Sequence, residues 1–158
     1  MKAPGLEDVP SVACVCGRLR RAARALTQLY DDAMAPCGLR VTQFSLIRAL
    51  LREGPTRITD LAGLALLDRT ALSRTLEPLV AQGLVRIAAG RDARTREVTL
   101  TRAGRAAHER ALPYWEEAQK IVLRKLGEPR IDALVGLLAS VETLHPAPEG
   151  VSSHRSRP

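Results

Sequence analysis

Seven residues at positions 91–97, RDARTRE, hold three arginines, Arg91, Arg94 and Arg96, between the runs LVRIAA and VTLT. Those runs have the composition and spacing of two strands, so the arginines fall at the tip of a hairpin. A guanidinium presents N–H donors in a planar fork that suits phosphate oxygens and the acceptor edge of guanine. Upstream, Arg69, Thr70, Ser73 and Arg74 gather more donors within six positions. A different chemistry is offered by Cys14, Cys16 and Cys37. A thiolate is both nucleophilic and oxidisable, and a nearby cation or helix N-terminus promotes its formation. The histidines, at 108, 145 and 154, share no motif with a nucleophile and an acid. Neither a glycine-rich phosphate loop nor a zinc spacing is present, since Cys14-x-Cys16…Cys37 matches none. The expectation is a protein that is not an enzyme and carries no metal and no cofactor.

Charge sharpens the contrast. The chain of 158 residues has 24 Lys and Arg against 17 Asp and Glu, a formal +7. Residues 55–110 contain ten Arg and six acids, while residues 11–30 contain four Arg and no acid. Two local excesses point to a polyanionic partner. Aromatic residues are 3% of the chain, which argues against single-stranded nucleic acid, where bases stack on aromatic platforms. No apolar run approaches the roughly 18 residues that a membrane span needs, and MKAPGLEDVP lacks the apolar core of a secretion signal. A cytoplasmic protein with no membrane partner is expected.

The elements that must position these groups can be read from periodicity. Val12, Val15, Cys16, Leu19, Ala22, Ala23, Leu26, Leu29 and Tyr30 form a helical stripe that Pro36 and Gly38 terminate. Thr42 is the expected cap of a second helix, QFSLIRALLRE, and Thr59 that of a short third, DLAGLALL. Asp68 should cap RTALSRTLEPLVAQ, which Gly83 ends and Pro78 should bend. Strands at about 84–89 and 96–101 follow. Thr101 should cap a long helix reaching Leu126, with a kink at Pro113, and a final helix spans about 129–144. Residues 1–10 and 145–158 have the composition of flexible tails.

Two helices joined by the tight turn LLDRT and followed at once by a hairpin are the order of a winged helix-turn-helix. In such a unit the second helix enters the major groove of double-stranded DNA and presents its first residues, here Arg69, Thr70, Ser73 and Arg74, to the bases. The arginine tip then reaches the backbone and the minor groove. The fold class is therefore mainly α, a winged helix-turn-helix with flanking N- and C-terminal helices. Residues 40–101 make the DNA-binding unit, and 11–35 and 102–144 the flanking helices, within one domain. The flanking helices carry apolar stripes with nowhere else to pack, which points to a second copy and a homodimer.

From about Cys16 to Gly104 the chain resembles the MarR family of bacterial transcription regulators. The resemblance is carried by ITDLAGLALLDRTALSRTLEPLVAQGLV and by the wing DARTREVTLTRAG, with Asp92, Arg94, Arg96, Leu100, Thr101 and Gly104 on the family's wing pattern. It implies a homodimer whose first and last two helices pack together, two winged units on a pseudo-palindromic operator, and an Asp92 that orients Arg94 or a neighbouring arginine. It also implies release from DNA by a signal.

Two signals are compatible with the residues. The first helix resembles that of the organic-peroxide-sensing branch of the family. Cys16 falls on that branch's reactive cysteine and Tyr30 on one of its three tyrosines, whereas Arg20 and Val41 stand at the other two. Arg20 lies one turn from Cys16; Cys14, with Arg18 four residues on, is a candidate for either the resolving or the reactive thiol, and Cys37 is a third candidate. A small aromatic or carboxylate effector is the other signal, with Arg18, Arg21 and Arg24 as its ion partners and Tyr30, Phe44 and Trp115 as apolar walls. A thiol-based peroxide-reactive enzyme is the alternative from another functional class, distinguished by turnover with a reductant.

Overall fold

The computed structural model of the chain describes residues 14–90 and 94–144. Helix α1 (Val15–Met34) runs into a single 3₁₀ turn, Ala35–Cys37, where Pro36 interrupts it. Helix α2 (Val41–Glu53) starts one residue before the expected Thr42 cap. Its first N–H groups are satisfied otherwise: Asp31 Oδ1 of α1 accepts from the Val41 N–H at 2.8 Å, and Gln43 Oε1 accepts from the Arg40 N–H at 2.9 Å. Asp31 also meets the Arg40 guanidinium at 3.2 Å. The cap is thus a tertiary contact from the preceding helix, and Thr42 is left exposed.

Thr59 does not cap the third helix either. Thr56–Arg57 forms a short strand, β1, absent from the sequence reading, and α3 (Ile58–Leu64) begins directly from it with Thr59 inside. Helix α4 (Arg69–Ala81) follows, and Asp68 Oδ1 accepts from the Ala71 N–H at 2.8 Å as its cap. The helix continues through Pro78. At its end the Leu84 N–H reaches back to the Leu79 carbonyl at 2.9 Å, with Gly83 at φ 68°. That left-handed turn suits glycine and closes the helix. Strands β2 (Val85–Ala89) and β3 (Arg96–Leu100) pair antiparallel, Val85 opposite Leu100 and Ala89 opposite Arg96, and β1 adds to β3, giving the order β1-β3-β2. Helix α5 (Arg102–Leu126) continues through Pro113 and is followed by α6 (Glu128–Glu142).

The core lies between α2, α3, α4, the sheet and the first half of α5. Phe44, Ile47, Leu61, Leu72, Leu79 and Val98 are fully buried there. Phe44 stacks on His108 at 4.9 Å between ring centroids and on Trp115 at 5.8 Å. Burial and the Arg48 guanidinium hold the His108 imidazole below its usual range, opposed in part by Glu109. The outer helices differ. Only Met34 of α1 is buried and no residue of α6 is, while Val15 is 60% and Leu137 67% exposed. Among the described residues no helix is long and apolar enough to cross a membrane.

The hairpin is attached to α5 through one residue. Thr101 Oγ1 accepts from the Gly104 N–H at 3.0 Å, capping α5. Its hydroxyl faces the Gly83 carbonyl at 2.7 Å and the Leu84 carbonyl at 3.0 Å, and its own N–H donates to Leu84 at 3.1 Å. A Cβ on Gly104 would fall on the Leu84 carbonyl oxygen and on Leu100, so only glycine lets α5 start this close to the strand. Loss of this cap should be measurable. Thr101→Val is expected to lower unfolding stability by about 1–2 kcal/mol in urea titrations, and Thr101→Ser to retain most of it.

The turn between α3 and α4 stores a small strain. Leu66 sits at φ 50° and is 52% exposed, held there because the Leu67 N–H reaches the Ala62 carbonyl at 2.9 Å. A left-handed conformation costs an L-residue about 1–2 kcal/mol, and glycine adds less than that in unfolded-chain entropy. Leu66→Gly is therefore expected to leave stability unchanged or raise it by up to about 1 kcal/mol, read from the same titrations. A clear loss would show that the Leu66 side chain is packing rather than strained.

Candidate nucleic-acid interface

Helix α4 has two faces with opposite fates. Leu72, Leu76 and Leu79 are buried, so the core fixes the rotation of the helix about its axis. Arg69, Thr70, Ser73 and Arg74 are then turned outward, and all four are exposed. They occupy the first two turns, beside the helix N-terminus, whose partial positive charge also favours an anion. Spacings of three and four place them as neighbours on one surface. The structure thus brings together the four donors that the sequence singles out on this helix.

The sheet adds cations next to them. Arg96, at the start of β3, is exposed, and so is Arg94 in the turn before it. Arg91 and Asp92 lie outside the described residues, and with them the expected clamp of Asp92 on a wing arginine. Two arginines that the sequence reading did not single out belong to the same unit: Arg57 on β1 and Arg86 on β2, both exposed. Arg86 stands at an outward position of an alternating strand, which was its visible signal. Arg57 had none, because β1 exists only through its pairing with β3.

Five of these arginines form no ion pair among the described residues. Ion pairs among the described residues join Arg40 to Asp31, Arg52 to Glu53, and both Lys120 and Arg124 to Glu117. Arg57, Arg69, Arg74, Arg86 and Arg96 take part in none of them. An arginine without an internal carboxylate keeps its fork of donors for an external oxygen.

The effector candidates are placed less favourably. Cys14 is the residue before α1 and Cys16 its second residue, and both are exposed. Cys37 is partly buried and its thiol donates to the Met34 carbonyl at 3.0 Å. Arg20 is exposed one turn from Cys16. Tyr30 shares their helix but lies fourteen residues beyond Cys16, roughly 21 Å along the axis, so the two do not meet within one chain. Burial raises the Tyr30 phenol above its usual range. Arg18, Arg21 and Arg24 are exposed along α1. Phe44, expected at a pocket wall, is fully buried in the core, and Trp115 packs against it. A groove of about 770 Å³ opens elsewhere, along the outer face of α2 against α3 and α4, and none of the residues expected at a pocket lines it. No cluster of three or more metal-binding side chains occurs among the described residues.

Comparison with known proteins agrees with this geometry. Residues 38–95 match the model of the MarR family. The chain is similar to the transcriptional regulator MosR of M. tuberculosis, solved in complex with DNA, at 38% identity over 84% of this chain and 98% of that one, with a TM-score of 0.73. A probable transcriptional regulator from Pseudomonas aeruginosa is 28% identical over 87% and 99%, with a TM-score of 0.74. The transcriptional repressor CouR, bound to a 23-mer DNA duplex, is 26% identical over 80% and 91%, with a TM-score of 0.73. A comparison with curated proteins finds no match. The winged unit, its outward arginines and the likeness to a DNA-bound regulator across most of both chains lead to one conclusion: this chain belongs to the MarR family of DNA-binding transcription regulators.

Proposed function

We propose that the protein acts as a homodimeric repressor that holds a pseudo-palindromic operator and lets it go when a signal reaches the first helix. The observation that carries the DNA contacts is the outward face of α4, where Arg69, Thr70, Ser73 and Arg74 are exposed and the arginines are unpaired. In this reading α4 lies in the major groove, with Arg74 on a guanine edge and Thr70 and Ser73 on phosphate or base edges. The wing arginines Arg91, Arg94 and Arg96 track the backbone and the adjacent minor groove.

The dimer is supported by the outer helices. Val15 and Leu26 of α1 and Leu134, Val135, Leu137 and Val141 of α6 are apolar and exposed in a single chain. A second copy would remove that surface from water, with each buried methylene worth about 0.8 kcal/mol.

Oxidation is supported as the signal by the position of Cys14 and Cys16. Both thiols are exposed at the end of α1 where this apolar surface begins. Attack of a Cys16 thiolate on a hydroperoxide gives a sulfenate and an alcohol. Condensation with Cys14 would give a disulfide and water. Either product changes the packing of α1 and hence the spacing of the two winged units.

Mobility shifts on the protein's own upstream DNA test these assignments. Arg74→Ala is expected to cost roughly 1–3 kcal/mol on the operator and less on unrelated DNA. Equal losses on both would make Arg74 a phosphate contact. Arg94→Ala should instead weaken both DNAs by similar factors and lower the salt slope by about one, and an unchanged slope would remove the wing from the interface.

The redox reading has its own test. An organic hydroperoxide should abolish operator binding by the wild type, and a thiol reductant should restore it. Cys16→Ser should bind DNA normally and ignore the oxidant, consuming none of it, whereas the wild type consumes it stoichiometrically without turnover. Parallel loss in both proteins would reduce Cys16 to a packing residue.

A further inference from the structure

The groove along α2 has a positively charged lining. Two arginines, Arg48 and Arg52, line it and no Asp or Glu does. Arg52 is partly engaged, its Nε donating to Glu53 at 2.7 Å. Arg48 has no carboxylate partner among the described residues. Its guanidinium instead lies over the Trp115 ring at 4.5 Å from the centroid and beside Phe44 at 5.9 Å. Stacking uses the face of a guanidinium and leaves its in-plane N–H groups available. Arg48 is therefore held in place by α5, and it lines the groove without an ion partner.

The apolar part of the wall has a definite character. It is built from Leu46, Leu61, Leu64, Leu67 and neighbouring Val and Ala, and no aromatic side chain lines it. Leu64 and Leu67 stay more than a third exposed in the single chain. A groove of about 770 Å³ is within the usual range for a small-molecule site. Aliphatic walls reward buried methylene area and offer no ring on which a planar ligand could stack.

We propose that this groove is a binding site for an anion with an aliphatic body, a medium-chain carboxylate in its simplest form. Arg48 takes the carboxylate bidentately, Arg52 adds a second cation at the rim, and the leucines bury the chain. The inference extends the reading of the protein as a signal-released regulator, by naming a ligand class and a place for it. Because Arg48 bridges the groove and Trp115, occupancy is sensed by α5. Trp115 is the one tryptophan of the chain, so its emission reports on the site.

The experiment is a titration of the full-length protein with decanoate, below the concentration at which it forms micelles. It is followed by Trp115 fluorescence and by calorimetry, without DNA. Saturable binding with a change in emission is expected, roughly tenfold weaker for octanoate, as two methylenes require. Acetate and decanol, which lack the tail and the charge respectively, should bind at least tenfold more weakly than decanoate. Arg48→Gln should lose at least tenfold in calorimetric affinity, and Leu64→Asp, at a half-exposed position, should lose saturable binding while keeping the native circular dichroism. Absence of saturable binding, equal affinity for decanol, or an unaffected Arg48→Gln variant would overturn the assignment. Operator binding is measured in parallel. Protein that binds decanoate but no operator would sink the regulator reading and leave the groove site standing, and the converse result would do the opposite.

Discussion

Thr101 is the joint on which the molecule turns. Its hydroxyl accepts from the first turn of α5 and faces the carbonyls that close α4, and its N–H extends the strand pairing to Leu84. The end of α4, the root of the hairpin and the start of the long helix therefore meet within one hydrogen-bond network. Gly104 completes it, because any side chain there would strike the Leu84 carbonyl. The Leu-Thr-x-x-Gly pattern at 100–104 follows physically: a core residue, a cap and a point of close approach.

The placement of charge depends on that rigidity. Leu72, Leu76 and Leu79 bury one face of α4, so Arg69 and Arg74 have no choice but to face outward. Neither they nor Arg57, Arg86 and Arg96 enter an ion pair among the described residues, which leaves their donors free on a packed support. A basic surface that its own acids do not neutralise attracts a polyanion at long range and releases counterions on contact. That combination distinguishes a binding surface from a merely soluble one, for which arginines paired along a helix, as Arg124 is with Glu117, would serve as well.

On the opposite side of the core, Phe44, His108, Trp115 and Arg48 form a stack that ties α2 to α5. There a titratable ring, a cation and a groove wall share neighbours. The outer helices are less committed. Their apolar residues remain in water in a single chain, and in the proposed dimer they would supply the interface through which a change at Cys14 or Cys16 is felt.

Much of this was legible in the residues because the relevant physics is local. Helix periodicity, the Asp68 and Thr101 caps, the stop at Gly83 and the hairpin alternation each need only a few neighbouring positions, and the family's wing pattern ran through them. Contacts between distant segments were not legible. The cap of α2 comes from Asp31 ten residues away, and β1 exists only because Thr56 and Arg57 find β3, so local pattern points to Thr42 and Thr59 as caps that they do not provide. The same limit governed the site. Exposed donors on α4 could be read from helix spacing, whereas the burial of Phe44, the separation of Tyr30 from Cys16 and the groove around Arg48 depend on which helices pack together. Local sequence determined the elements and the chemistry they carry, and tertiary packing decided which of those side chains would meet.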